Sequence, residues 1–243
     1  MPELPEVETI RRQLSKKIIG KKLNDKKIAG LRRRAKILII DFADGSSLVI
    51  HLKLTGQLIL NGEPSRYTRK VFNFNDGSQL IFNDARKLGW WRKVKETRKI
   101  EEKFGPEALE MRFETFKELL QKRPNSKIKP LLMDQKFIAG IGNIYSDEIL
   151  FAAKVHPLRQ VKTLKDKEIQ LIHQNIKKIL RKAIQYRGTT MQDYRDACGR
   201  EGDYTNHLQI YQKEGKKCSR CGTIIKRVKL AGRSAHFCPN CQK

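Results

Sequence analysis

The spacing of apolar residues changes character twice along this 243-residue chain, and those changes constrain its architecture. Between residues 36 and 94 they fall in short apolar or alternating runs, at 37–42, 48–54, 57–60, 71–74 and 79–82. Asp44-Gly45, Asn61-Gly62 and Asp76-Gly77 punctuate those runs as turns, so this stretch predicts an antiparallel β-sandwich. Ahead of it, Val7, Ile10, Leu14 and Ile18 recur at helical spacing. They predict a helix entered through Pro5, with Glu6 and Glu8 at its positive end. Beyond residue 110 the period is helical throughout. Thr163-x-x-Asp166 is expected to cap a helix carrying Ile169, Ile172, Ile176, Ile179 and Ala183 and ending at Gly188. Residues 101–110, with Gly105-Pro106, read as a linker, and the polar, glycine-bearing stretch 189–206 reads as a mobile loop.

Near the end of the sequence stand Cys218-x2-Cys221 and, after sixteen residues, Cys238-x2-Cys241. This is the spacing of a four-cysteine zinc site. Four thiolates leave no open coordination position, so one structural zinc ion is expected. Cys198, the fifth cysteine, reads as a spectator thiol. The expected fold class is therefore α+β and multidomain. Residues 1–103 form a β-sandwich with an N-terminal helix, 104–209 a helical domain, and 210–243 a zinc ribbon.

Charge narrows the partners. With 52 Lys and Arg against 26 Asp and Glu, the formal net charge is +26, a field that favours a polyanion. No apolar run approaches the roughly 18–20 residues that span a bilayer, and no secretory h-region opens the sequence. A cytoplasmic, nucleoid-associated monomer without membrane partners is expected.

The sequence opens Met1-Pro2-Glu3-Leu4-Pro5-Glu6-Val7-Glu8-Thr9. Methionine is trimmed before small residues, so Pro2 is expected to become a terminal secondary amine beside the Glu3 carboxylate. An α-amino group titrates near ~7.7–8.0, against ~10.4 for lysine. Such an amine is nucleophilic at neutral pH without the burial a lysine requires.

That opening resembles the formamidopyrimidine-DNA glycosylase (Fpg/Nei) family. So do Arg34-Ala35-Lys36, His51-Leu52-x-x-Thr55-Gly56, Asp84-Ala85-Arg86-Lys87-x-Gly89, the run from Ile138 to Tyr145, and the cysteine pairs. The resemblance implies that Pro2 attacks C1′ of a damaged nucleotide and that Glu3 supplies a proton as the sugar opens. It makes Lys36 a phosphate contact near the scissile bond. The segment from Ile128 to Pro157 resembles a helix-two-turns-helix element, in which Lys129 and Asn143 meet DNA phosphates. Arg123 or Lys127 stands near where a further basic residue is replaced by Pro124 or Asn125. Arg233, at a hairpin tip of the ribbon, would enter the minor groove and assist the second elimination.

Where the family fills the hole left by a flipped base with methionine, arginine and phenylalanine, this chain offers Leu54, Arg86 and Leu88. Tyr67 stands about where a DNA-contacting histidine is common, and Ala235 replaces a threonine. Glu8 reads as a helix-terminal acid, while Glu6 reads either so or as active-site support. The resemblance implies a glycosylase and abasic-site lyase that excises oxidised purines (8-oxoguanine, formamidopyrimidines) from double-stranded DNA by β,δ-elimination. The alternatives are an endonuclease VIII-like enzyme for oxidised pyrimidines and a non-catalytic zinc-dependent nucleic-acid-binding protein.

Overall fold

A computed structural model describes all 243 residues, and they divide into two compact units. The first comprises Met1–Lys103 and Ala183–Asn206, the second Phe104–Lys182 and His207–Lys243.

In the first unit, helix α1 (Leu4–Ile18) buries Val7, Ile10, Leu14 and Ile18, the stripe expected from sequence. A five-stranded antiparallel sheet follows in the order β1 (Lys22–Leu23), β2 (Lys26–Arg34), β3 (Ile37–Phe42), β4 (Ser47–His51), β8 (Trp90–Val94). A second sheet runs β5 (Gln57–Leu60), β7 (Gln79–Asn83), β6 (Thr68–Asn73). One apolar core draws Leu38, Ile40 and Ile50 from the first sheet, Leu58, Leu80 and Phe82 from the second, and the α1 stripe.

Sequence reasoning missed β2. Its register shifts between Ile28 and Gly30, which breaks the alternation, and only Ile28 and Leu31 are buried. Its charges are paired instead. Arg32 reaches Asp41 at 2.8 Å and Glu101, and Arg33 reaches Glu8 at 3.3 Å.

The stretch 189–206 is not a free loop, and here the structure corrects the sequence reading. Tyr194 and Ala197 belong to the core of the first unit, and Thr189, Thr190, Asp196 and Tyr204 are buried. Gln13 on α1 donates to Asp196 at 2.9 Å and accepts from the Ala197 N–H at 2.9 Å. The Ala197 carbonyl in turn accepts from Leu60 N–H at 2.9 Å. Its polar residues are hydrogen-bonded inward, which composition alone does not reveal.

After the short α2 (Arg98–Glu101) the chain enters the second unit. There follow α3 (Phe113–Gln121), α4 (Ile128–Met133), α5 (Asn143–Ala152) and α6 (Asp166–Gln185), then the hairpin β9 (Lys226–Leu230) and β10 (Arg233–Phe237). The expected linker is tied down from Gly105 onward, because Gly105 N–H donates to Gln135 O and Ala139 N–H to Pro106 O. The α6 cap differs from expectation. Thr163 lies in a 3-10 turn, and Glu168 instead accepts the Lys165 N–H at 2.7 Å. No helix is long and apolar enough to cross a membrane.

Removing the Tyr194 ring leaves a cavity in the first unit's core, so Tyr194→Ala is expected to lower unfolding free energy by about 3 kcal/mol. Limited proteolysis should then cut within 189–206 well before other sites. Unchanged stability, or equally fast cleavage there in the parent protein, would restore the mobile-loop description.

Candidate active site and zinc centre

Helix α1 begins at the very residues expected to do chemistry. Pro2 and Glu3 are both buried. Glu3 is the N-cap, extended at φ −104°, and forms a reciprocal capping box with Glu6. Its backbone N–H donates to Glu6 Oε2 at 2.7 Å, while Glu6 Oε1 accepts from Thr189 N–H at 2.8 Å. Of the two roles open to Glu6, it thus serves as a brace on the residue beside Pro2. Glu8 is structural, as expected. Burial pushes its carboxyl up, but hydrogen bonds from Arg11 and Arg12 and the Arg33 charge outweigh that and hold it below the usual range.

Lys36 sits at the tip of the β2–β3 hairpin, after Ala35 at φ 53°, a left-handed conformation uncommon for a residue with a Cβ. Arg33 donates to the Ala35 carbonyl at 2.9 Å and steadies that tip. Lys36 is buried, and its charge is felt by His51, across the ladder from Ile37. Burial, with Lys53 and Lys36 adding repulsion, lowers the His51 imidazole to about 3. Three basic side chains share this corner, and His51 stays neutral in it.

Leu54, Arg86 and Leu88 lie on two loops joined by Asp84, a partner that sequence reasoning quoted but did not use. Buried Asp84 accepts from the Thr55 hydroxyl, from Gly89 N–H at 2.6 Å and from Arg86 N–H at 3.3 Å. Gly89 is required there, since a Cβ would come within 2.7 Å of the Phe82 ring and 3.0 Å of Asp84. The loop so gathered turns Arg86 and Leu88 to solvent, while Leu54 is half-buried. Tyr67 is exposed beneath the Arg66 guanidinium, 4.8 Å from its ring centre.

In the second unit, α4, two turns and α5 form the helix-two-turns-helix element. Gln135 knits the turns: its carbonyl accepts Gly140 N–H at 2.9 Å, and its amide donates to Met133 and Ile141 carbonyls. Gly140 adopts φ 104°, and Gly142 caps α5. Asn143 begins that helix, and its buried Oδ1 has no hydrogen-bond partner within the chain. What suits an anion here is the positive N-terminal end of α5 behind the glycine turn, where backbone N–H groups point outward along the helix axis.

Lys129 departs from expectation. Its side chain is 1% exposed, with Nζ 2.7 Å from Asp147 Oδ1 and donating to the Ser234 carbonyl. A cation neutralised inside the unit does not present itself to a phosphate, so the assignment of Lys129 as a DNA contact is corrected. Arg233 is exposed, directly after the two-residue Ala231-Gly232 tip, whose φ values of 49° and 73° fit a type I′ hairpin.

The four cysteine sulfurs of Cys218, Cys221, Cys238 and Cys241 all lie within 4.8 Å of one another. Two of the separations are 3.9 Å and 3.5 Å, against about 3.8 Å for sulfurs around one tetrahedral zinc. They are far too long for disulfides, and the donor set fits a structural zinc ion that closes the ribbon. Cys198 is exposed and apart from this cluster.

A β-sandwich led by a capped helix, a helix-two-turns-helix element and a four-cysteine ribbon, in that order, define one class of zinc-bearing DNA-repair protein. Residues 19–91 match the formamidopyrimidine-DNA glycosylase N-terminal domain model, 104–195 the formamidopyrimidine-DNA glycosylase H2TH domain, and 215–243 the zinc finger found in FPG and IleRS. The formamidopyrimidine-DNA glycosylase of Pelotomaculum thermopropionicum is 40% identical, covering 100% of this chain and 99% of the relative. That of Lactococcus lactis subsp. cremoris is 39% identical over the whole of both. Among solved structures, Lactococcus lactis Fpg in complex with abasic-site DNA superposes with a TM-score of 0.91 at 38% identity, covering 99% of each chain. MutM in complex with DNA containing carbocyclic 8-oxo-G gives 0.90 at 37%, covering both chains fully. The chain belongs to the formamidopyrimidine-DNA glycosylase family.

His51 supplies a pH prediction. Its folded pKa lies below its unfolded value, so the stability it confers is present above about 6.5 and is lost as pH falls toward 3. Its imidazole resonances should show no protonation between pH 8 and 5, and His51→Gln should flatten the acid side of the stability curve. A midpoint near 6.5 in the folded protein would contradict the burial and charge described.

Proposed function

We propose that this chain is a bifunctional base-excision-repair enzyme, a DNA glycosylase and abasic-site lyase that removes oxidised purines from duplex DNA. The observation that carries the reading is the braced terminus: Pro2 and Glu3 buried at the head of α1, with Glu3 held by Glu6. With Met1 removed, the Pro2 amine attacks C1′, the damaged base departs, and an iminium joins Pro2 to the sugar. Glu3 delivers a proton as the ring opens. The iminium acidifies C2′, and β- then δ-elimination cut the strand on both sides of the lesion.

The remaining roles belong to the same proposal. Lys36 contacts the phosphate near the scissile bond, in the basic corner it shares with Lys53. Asn143 and the glycine turn before it take a phosphate at the α5 N-terminus. Arg233 grips phosphates from the ribbon tip and assists the second elimination. Arg86 pairs with the orphaned base, while Leu54 and Leu88 fill the vacated space. Aliphatic wedges fill volume without the stacking an aromatic supplies, so discrimination of the opposite base rests mainly on Arg86. The zinc ion, held by Cys218, Cys221, Cys238 and Cys241, supplies structure to that tip and no chemistry.

The domain division 1–103, 104–209 and 210–243 accompanies this reading, supported by family-model matches at 19–91, 104–195 and 215–243, although residues 183–206 pack with the first unit. The solved relatives' DNA, containing abasic sites or 8-oxo-G, supports the substrate class. The same proposal takes the enzyme as a monomer acting on chromosomal DNA in a bacterial cytoplasm, a reading that the kinship and the +26 charge support.

Borohydride reduction during turnover on 8-oxoguanine duplex should trap a covalent adduct that peptide mass spectrometry maps to residue 2. A form retaining Met1 should give none. An adduct on Lys36, or none with processed protein, would remove Pro2 from the mechanism.

A further inference from the structure

The most heavily buried charge cluster of the second unit lies behind the ribbon hairpin. Asp147, on α5, has a side chain 0% exposed. Its Oδ1 faces Lys129 Nζ at 2.7 Å. Its Oδ2 accepts the His236 backbone N–H at 3.0 Å and lies 2.8 Å from His236 Nδ1. Lys129, itself 1% exposed, donates onward to the carbonyl of Ser234. The two buried charges therefore grip β10 at alternate residues, 234 and 236, one and three positions past Arg233.

The geometry suits one purpose. A two-stranded hairpin is marginal on its own, and the zinc ligands of this one stand beyond its base, at Cys218, Cys221, Cys238 and Cys241. Without a second hold, the tip would pivot about the metal. Residues 234 and 236 are where that hold falls, between the zinc ligand Cys238 and the exposed Arg233. A carboxylate and an ammonium removed from water persist only as partners, so the grip is set by charge as well as shape. His236 is further fixed by the Tyr211 ring, 5.2 Å away at 73°.

We propose that Asp147, acting with Lys129, is a positioning residue that fixes where the ribbon tip carries Arg233, without itself touching DNA. The proposal rests on the role given to Arg233 above.

Two measurements on the zinc-loaded protein test it, with zinc content checked for every variant. Hydrogen–deuterium exchange reads the hairpin without reference to activity. Asp147→Asn should speed exchange of the β9–β10 amides at least tenfold and leave α1 and the sandwich unchanged. Unchanged hairpin exchange overturns the proposal whatever the activity. Single-turnover strand scission on 8-oxoguanine duplex then reads the coupling in a double-mutant cycle. Asp147→Asn should slow scission at least tenfold in the parent background and no more than twofold beside Arg233→Ala. Equal losses in both backgrounds would show general support rather than positioning and overturn it. Faster exchange with an Arg233→Ala variant of full activity would overturn the reading of Arg233 itself, and with it the proposed purpose of the grip. If Asp147→Asn does not retain zinc, Lys129→Gln, which can still donate to Ser234, enters the same cycle with the same deciding outcomes.

Discussion

The first unit is organised around one carboxylate. Glu6 takes Glu3 N–H on one oxygen and Thr189 N–H on the other, at 2.7 and 2.8 Å. Chain termini ordinarily fray, yet here the residues on either side of the Glu3 peptide are buried. The approach is close enough that residue 188 must be glycine. Its φ is 83°, and a Cβ would fall 2.7 Å from Glu6 Oε1. Tyr194, whose hydroxyl donates to the Arg187 carbonyl at 3.1 Å, closes the same corner from the core. Burial and the nearby Glu6 and Asp196 charges push that phenol well above its usual range, so it remains a donor.

The second unit solves the converse problem, turning backbone and cations outward while keeping the scaffold dry. Gln135 ties both turns of the helix-two-turns-helix with one side chain, and the Gly142 N-cap of α5 makes no side-chain capping bond. Glu148, the residue after Asp147 on α5, accepts the N–H groups of Gln209, Ile210 and Tyr211 and so anchors the strap leading into the ribbon. Burial raises its carboxyl, against the pull of those three donors. Cys238 sits between the zinc cluster and a Gln242 side chain that accepts its N–H at 2.9 Å and donates to Val155 O at 2.9 Å.

What could be read from sequence was whatever obeys a period or a fixed spacing. The α1 stripe, strand β3, strand β5 and the cysteine pairs fall where the apolar rhythm and the Cys-x2-Cys spacing put them. Strand β2 did not, because a bulge and a run of arginines paired to Asp41, Glu101 and Glu8 hide its alternation. The stretch 189–206 looked like loose polar chain because its partners, Gln13 and Glu6, lie more than 180 residues away. Lys129 misled for the same reason. A basic residue beside a DNA-binding motif reads as a phosphate contact until Asp147 is seen facing it. Long-range pairing of polar groups is the information a single sequence does not carry.

If the Glu6 brace holds the reacting terminus, its loss must appear in chemistry before it appears in binding. Glu6→Gln keeps the shape but offers one acceptor oxygen to two N–H donors, leaving an amide group facing an N–H at a cost of about 1–3 kcal/mol. The direct measurement is the single-turnover rate of borohydride trapping at residue 2, taken beside duplex affinity on the same lesion DNA. Trapping should slow at least tenfold with affinity within twofold of the parent. Unchanged trapping would contradict the brace, as would equal losses in trapping and affinity.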